Sequence, residues 1–256
     1  MNFKKALLIL LSLFFLGNMT FAKEVKFVFL TDISLNNSNS NYLKETIKEL
    51  NEMKDVDFVV FGGNNLDSAK FQYLKTFLGI VKNLNKKTYV LMGSNDLYAN
   101  DGMDKELYLL KTSKALKNHS KKPNYVFKKK DYVFVVMDGT KQYFKSTNGY
   151  YSPSELRWLD RTLEKYKKDD VIILQHFPII KSDSMWLQTA KIEEYIDVLK
   201  KHNNVKVMVS GHYNTNLEEK FGNINVILTE NYSQNHAYKI IELDLKNDYI
   251  GTFLVK

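Results

Sequence analysis

One pattern limits how this chain can fold more than any other. Short runs of β-branched and aromatic residues break off, again and again, at a glycine or a polar residue. Val205-Lys-Val-Met-Val-Ser-Gly-His212 is the plainest copy. It reads as a strand from Val205 to Ser210, and Gly211 permits the sharp turn that sets His212 at the strand tip. Phe27–Asp32, Phe58–Asn64, Tyr89–Asp96 and Val171–His176 share the plan. Near-continuous apolar runs are what strands buried on both faces require. Between them apolar residues recur at helical spacing: Leu43, Ile47, Leu50 and Met53, then Phe71, Leu74, Leu78 and Val81. Strand alternating with helix predicts a parallel sheet with right-handed crossovers, and sites in such sheets lie at the C-terminal strand edge.

The first three strands are expected at Val25–Leu30, Val56–Phe61 and Thr88–Met92, with a helix over Leu107–Leu116. Tyr125–Phe127 and Tyr132–Met137 then read as paired strands around a basic turn, Lys128-Lys129-Lys130-Asp131, and open a second half. Ser152, Pro153 and Glu155 supply an N-cap, a first helical position and a capping box. Val171–Leu174 and Val205–Ser210 are further strands, with a helix through Ile192, Tyr195, Ile196 and Leu199 between them. Ile224–Leu228, Tyr238–Leu243 and Tyr249–Leu254 close the chain as strands. No internal linker or repeat divides it, so the halves are read as two layers of one domain.

At 256 residues the chain can bury a sizeable core. The absence of cysteine excludes disulfides, thiolate zinc sites and a cysteine nucleophile. Lys4 and Lys5, the apolar stretch Ala6–Leu16 and the small residues at Thr20 and Ala22 read as a signal peptide over residues 1–22, leaving a domain over 23–256. The expected location is therefore secreted, periplasmic or otherwise extracytoplasmic. Membrane attachment is expected only through an uncleaved leader. The formal charge of +8 comes almost wholly from lysine, with Arg157 and Arg161 the two arginines. A surface built to fork phosphates would use more arginine, so nucleic acid is not the expected partner.

Order and spacing of the strand tips resemble the calcineurin-like metallophosphoesterases. That resemblance implies a single α/β domain, a four-layer α/β/β/α sandwich. It also implies five motifs holding two divalent metals, often Mn, Fe or Zn, that activate water against a phosphate ester. The match is partial. Asp32 matches the first motif's aspartate, and Ser34 stands in place of its histidine. Asn64 stands at the metal-bridging aspartate, while Gly63 and Asp67 match the frame around it. Gly93 and Asp96 match the third motif, where Ser94 replaces the metal-binding asparagine and Asn95 the catalytic histidine. His176, with Pro178 behind it, matches the lone histidine; His212 matches the first histidine of the last motif, and Asn214 replaces the second.

These replacements change the implied chemistry. Two metals about 3.5–4 Å apart share an anionic bridge, and a neutral amide at Asn64 cannot neutralise them as a carboxylate does. A dinuclear centre is not expected. Asp32, Asn64, His176 and His212 are the candidate metal residues, sufficient for one divalent ion such as Zn, Mn or Fe, with Asp67, Asp96, Ser94 and Asn214 as rescue ligands. The alternative for both histidines is hydrogen bonding in a vestigial pocket. Asn95 has no pKa with which to protonate a leaving group, so no catalytic residue is assigned. The expectation is an exported phosphoesterase-fold protein with little or no turnover that binds a phosphorylated small molecule or a protein partner. Its rivals are an active one-metal phosphoesterase and a metal-free, basic, envelope-associated binding protein. Tyr98, Tyr150, Tyr151, Phe177 and Trp186, on or beside the tip loops, either line a ligand groove or pack.

Overall fold

Along β1 (Val25–Leu30) every side chain except that of Lys26 is buried, and successive residues serve different cores. Val28 and Leu30 join one cluster with the helices Ser40–Glu52, Phe71–Val81 and Lys105–Ala115. Val25, Phe27 and Phe29 join another, made of strand residues from both halves of the chain. A strand with two apolar faces must be covered on both, and this alternation fixes the layer order.

The structure is a computed structural model and describes residues 24–116, 119–182 and 184–256. The leader read at residues 1–22 lies outside them. β2 (Phe58–Gly62) and β3 (Lys87–Leu91) run parallel to β1. β10 (Tyr238–Asp244) pairs antiparallel with β1, and β11 (Tyr249–Val255) with β10, giving a five-stranded sheet of order β11-β10-β1-β2-β3. The second sheet has six strands in the order β4-β5-β6-β7-β9-β8. They are β4 (Tyr125–Lys129), β5 (Tyr132–Met137), β6 (Asp170–Gln175), β7 (Val205–Ser210), β8 (Leu217–Phe221) and β9 (Ile224–Leu228). β5, β6, β7 and β9 are mutually parallel. The helices Pro153–Lys165 and Ile192–Leu199 cover its outer face. The result is the expected α/β/β/α sandwich.

The inner layer is held by aromatic rings from both sheets. Phe58 lies 4.9 Å from Phe27 in a stack and 5.1 Å from Phe134 edge-on, and Phe134 stacks on Phe127 at 4.9 Å. The capping box forms as expected: Ser152 Oγ accepts from Glu155 N, and a Glu155 carboxylate oxygen accepts from Ser152 N at 2.7 Å.

Three expectations are corrected. β2 begins at Phe58, because Val56 turns into the helix-side cluster. Lys128 and Lys129 continue β4, so the turn is tighter than expected, with Lys130 in the left-handed region at φ 52°. β8 was not expected at all: Leu-Glu-Glu-Lys-Phe has no alternation, because this edge strand is exposed almost throughout. Charged edges of this kind discourage edge-to-edge association.

Phe58→Ala removes the ring that touches both sheets and should lower unfolding stability by about 3–5 kcal/mol, read from equilibrium urea denaturation.

Candidate functional site

The C-terminal ends of β1, β2, β3, β6 and β7 converge at one end of the two sheets. Two glycines permit the approach. A side chain at Gly93 would overlap Asn64, and one at Gly211 would overlap Thr31. Around them the backbone takes up unusual conformations. Asp32 (φ 55°), Ser34 (48°), Asn64 (49°), His212 (71°) and Asn214 (55°) are all left-handed. Asn, Asp and His enter this region more readily than other non-glycine residues, though each such residue still carries strain.

Asp32 is buried at the centre. Its Oδ1 accepts from Asn64 Nδ2 at 2.9 Å. Its Oδ2 accepts from Thr31 Oγ1 at 2.8 Å and from the backbone N–H of His212 at 3.1 Å. Burial pushes the carboxyl pKa up, against the pull of these three donors. Asn64 faces the other way with its oxygen, which accepts from Asn95 N at 2.9 Å and from Ser94 Oγ at 3.4 Å. Its amide thus spans the first and third tips, and its orientation is fixed by a donor need on one side and an acceptor need on the other.

His176 Nδ1 donates to Gly62 O at 2.8 Å, which leaves the lone pair on Nε2. That Nε2 is buried, has no hydrogen-bond partner among the described residues, and lies 4.0 Å from Asp32 Oδ1. Burial pulls the His176 pKa down to about 4. His212 is drawn down to about 3 by burial and by the neighbouring His176. Its Nε2 points outward and donates to Leu187 O at 3.1 Å. The rings of the two histidines are 5.1 Å apart.

The other candidates do not join this set. Asp96 is fully buried, and its oxygens accept from Gly93 N, Leu66 N and Asn65 Nδ2 at 2.8, 2.8 and 3.2 Å. It clamps the second and third tips together, and burial raises its pKa to about 7. Asn214 turns to Asn231, whose Nδ2 donates to its Oδ1 at 3.0 Å. Ser34 contributes its backbone N–H to Asn64 O at 2.9 Å. Asp67 is exposed and, with Ser94, Asn95, Tyr98 and Lys145, lines a neighbouring cavity of about 740 Å³. Of the aromatic set, Tyr151 and Phe177 are core residues, whereas Trp186 stands out in solvent. Thr31 and Asn65 are site residues that sequence reasoning missed; each neighbours a residue it did select. The Leu187 carbonyl carries no side-chain signal at all.

Among the described residues no three His, Cys, Asp or Glu side chains group closely enough to hold a metal ion. The side chains present do not fit a two-metal group. The bridging position is an amide that donates to Asp32 and carries no negative charge to set between two cations.

A family model described as calcineurin-like phosphoesterase matches residues 25–214. No curated protein matches the chain. Among solved structures, it is similar to a dimetal phosphatase from Danio rerio, with 13% identity, a TM-score of 0.70, and 91% of this chain and 98% of that one covered. It is also similar to GAP50, described as the anchor in the inner membrane complex of Plasmodium, with 17% identity, a TM-score of 0.63, and 91% and 84% covered. A phosphopantetheinyl hydrolase from Mycobacterium tuberculosis matches at 10% identity and a TM-score of 0.55, with 84% and 93% covered. At these identities the likeness shows the fold alone.

Two outcomes follow from the site. Asn64→Asp sets a second carboxylate against Asp32 and should lower metal-free stability by about 1–3 kcal/mol in urea denaturation, because a donor is lost and a like charge gained. The depressed histidine pKa values carry a pH signature. Between about pH 6.5 and about pH 4 the unfolded chain binds protons that folded His176 refuses, so its contribution to stability falls as pH falls. The raised pKa of Asp96 works in the opposite sense over a similar window. The difference between wild type and His176→Gln isolates the histidine: the urea midpoint of wild type should decline more steeply with acid.

Proposed function

Since the chain belongs to the calcineurin-like phosphoesterase family, we propose that it is an exported member in which binding has replaced turnover. The family's reaction is metal-dependent hydrolysis of phosphate esters. The observation that carries the reading is the hydrogen bond from Asn64 Nδ2 to Asp32 Oδ1. A buried carboxylate needs a cation or donors to balance it. Here three donors offset part of that cost, one of them from the residue at the metal-bridging position. Water activation by a metal pair has no bridge to rest on, and Asn95 offers no proton to a leaving group.

What the chain binds is a phosphorylated small molecule or a protein partner. The cavity beside Ser94 and Asn95 supports the first. The description of GAP50 as an anchor supports the idea that this fold can serve attachment. Export rests on the leader read in the sequence. A second reading is favoured by one atom. His176 Nε2 holds a buried lone pair 4.0 Å from Asp32 Oδ1, and a single divalent ion such as Zn, Mn or Fe between them would satisfy both.

Elemental analysis after exposure to Mn²⁺, Fe²⁺ and Zn²⁺ and dialysis separates these readings, with aryl phosphate mono- and diesters as substrates. Well under one ion per chain and no hydrolysis above blank is the expected result. One ion per chain, lost in His176→Ala, would favour the second reading. Two ions with hydrolysis would overturn both.

A further inference from the structure

Large hydrophobic side chains standing singly in solvent are ordinary, but several on adjoining loops are not. Among the described residues the four most exposed are Tyr143, Phe144, Met185 and Trp186, at 60%, 73%, 86% and 78%; the next, Tyr42, is at 51%. They form two neighbouring pairs in sequence, one in each of two loops at the tip end of the sheets.

The loops are joined. Thr147 Oγ1 donates to Trp186 O, and Asn148 Nδ2 donates to Met185 O at 2.9 Å and to Gln188 O at 2.8 Å. Ala190 N donates to Gly149 O at 2.8 Å. From below, His212 Nε2 donates to the carbonyl of Leu187, the residue after Trp186. The four apolar side chains therefore ride on a braced frame. Lysine outnumbers carboxylate around them: Lys141, Lys145 and Lys181 flank them and the segment from Gly139 to Ser154 contains no Asp or Glu, while Asp183 precedes Met185 by two residues and Asp101 Oδ2 lies 4.0 Å from Lys145 Nζ. Lys145 lies over the Tyr98 ring at 4.5 Å, which holds its ammonium close to the same face.

We propose that these paired loops dock the protein on an anionic phospholipid surface, with Phe144, Met185 and Trp186 entering the headgroup layer and Lys141, Lys145 and Lys181 meeting lipid phosphates. The apolar groups protrude rather than line a groove. A soft interface accepts protruding rings at any position, whereas a folded partner would need a matching pocket for each. Amphipathic rings beside lysines are the side chains that bilayer interfaces retain, and the lysines add attraction to anionic headgroups. This inference extends the binding reading above but stands on other atoms, so loss or gain of a metal leaves it untouched. It is also separate from the leader. β1 starts at Val25, at the end of the sheet opposite the tips, so a leader held in a membrane does not by itself bring Trp186 to it.

The chain has two tryptophans, and Trp158 is half-buried on a helix, so a Trp158→Phe background leaves Trp186 as the single indole reporter. The full chain in this background is titrated with vesicles of phosphatidylcholine alone and of phosphatidylcholine with an equal part of phosphatidylglycerol. Trp186 emission should move to the blue on the anionic vesicles only. In Lys141→Glu/Lys145→Glu the apparent affinity should fall at least about tenfold, since each lysine near an anionic surface contributes about fivefold. Phe144→Ser, at an exposed position, should weaken it while circular dichroism stays unchanged. No shift on anionic vesicles would overturn the proposal. So would an equal shift on neutral vesicles, or a shift that survives both sets of substitutions.

Discussion

Everything at the tip end of this fold depends on a carboxylate that is out of water. Asp32 follows β1 of the five-stranded sheet, His212 follows β7 of the six-stranded one, and the hydrogen bond from His212 N to Asp32 Oδ2 crosses between them. Asn64 adds the tip of β2, and Thr31 closes the remaining position. Removing a charge from water is costly unless it is paired or fully hydrogen-bonded. Here the compensation is distributed over three segments, so satisfying one charge also fixes how the two sheets meet. Asp96 repeats the device between the second and third tips, again with hydrogen-bond donors.

The backbone keeps a record that the side chains do not. Asp32, Ser34, Asn64, His212 and Asn214 are left-handed, and each stands at a position where the family resemblance places a metal ligand. Strain of roughly 1–3 kcal/mol per residue persists only where the surroundings over-determine it. The surroundings here are the close contacts at Gly93 and Gly211, which follow from how the strands cross and do not require a metal. Asn at 64 and 214 is compatible with this conformation, so the chemistry of the cradle can change while its shape stays.

Much of this architecture was legible from residue pattern alone. The apolar runs gave the parallel strands, the helical spacing gave the layers, and Ser152, Pro153 and Glu155 gave a helix start that formed as read. β8 escaped because an exposed edge strand has no buried face to impose alternation on Leu217–Phe221. At the site, the strand-tip residues were legible because glycine and polar residues interrupt apolar runs. Where they point was not. Asp67 and Asp96 occupy equivalent-looking places in sequence, yet one is in solvent and the other fully buried among backbone donors. The role of His212 was hidden because its side chain is met by a main-chain carbonyl, and nothing in Leu187 announces that.

The histidines decide how far the remaining groups could act without a metal. A general acid or base works best with a pKa near the working pH. His176 and His212 are pulled down to about 4 and about 3, so near neutrality they are uncharged and can give no proton to a leaving group. Asp96 is raised to about 7, a useful value, but its oxygens are held by Gly93, Leu66 and Asn65 and face away from the Asp32 side. Asp96 thus lacks access, and His176 and His212 lack the pKa. What the tips can do with neutral imidazoles is donate and accept hydrogen bonds. His212 does so toward Leu187 through Nε2–H, bracing the loop that carries Trp186 and leaving its lone pair on Nδ1.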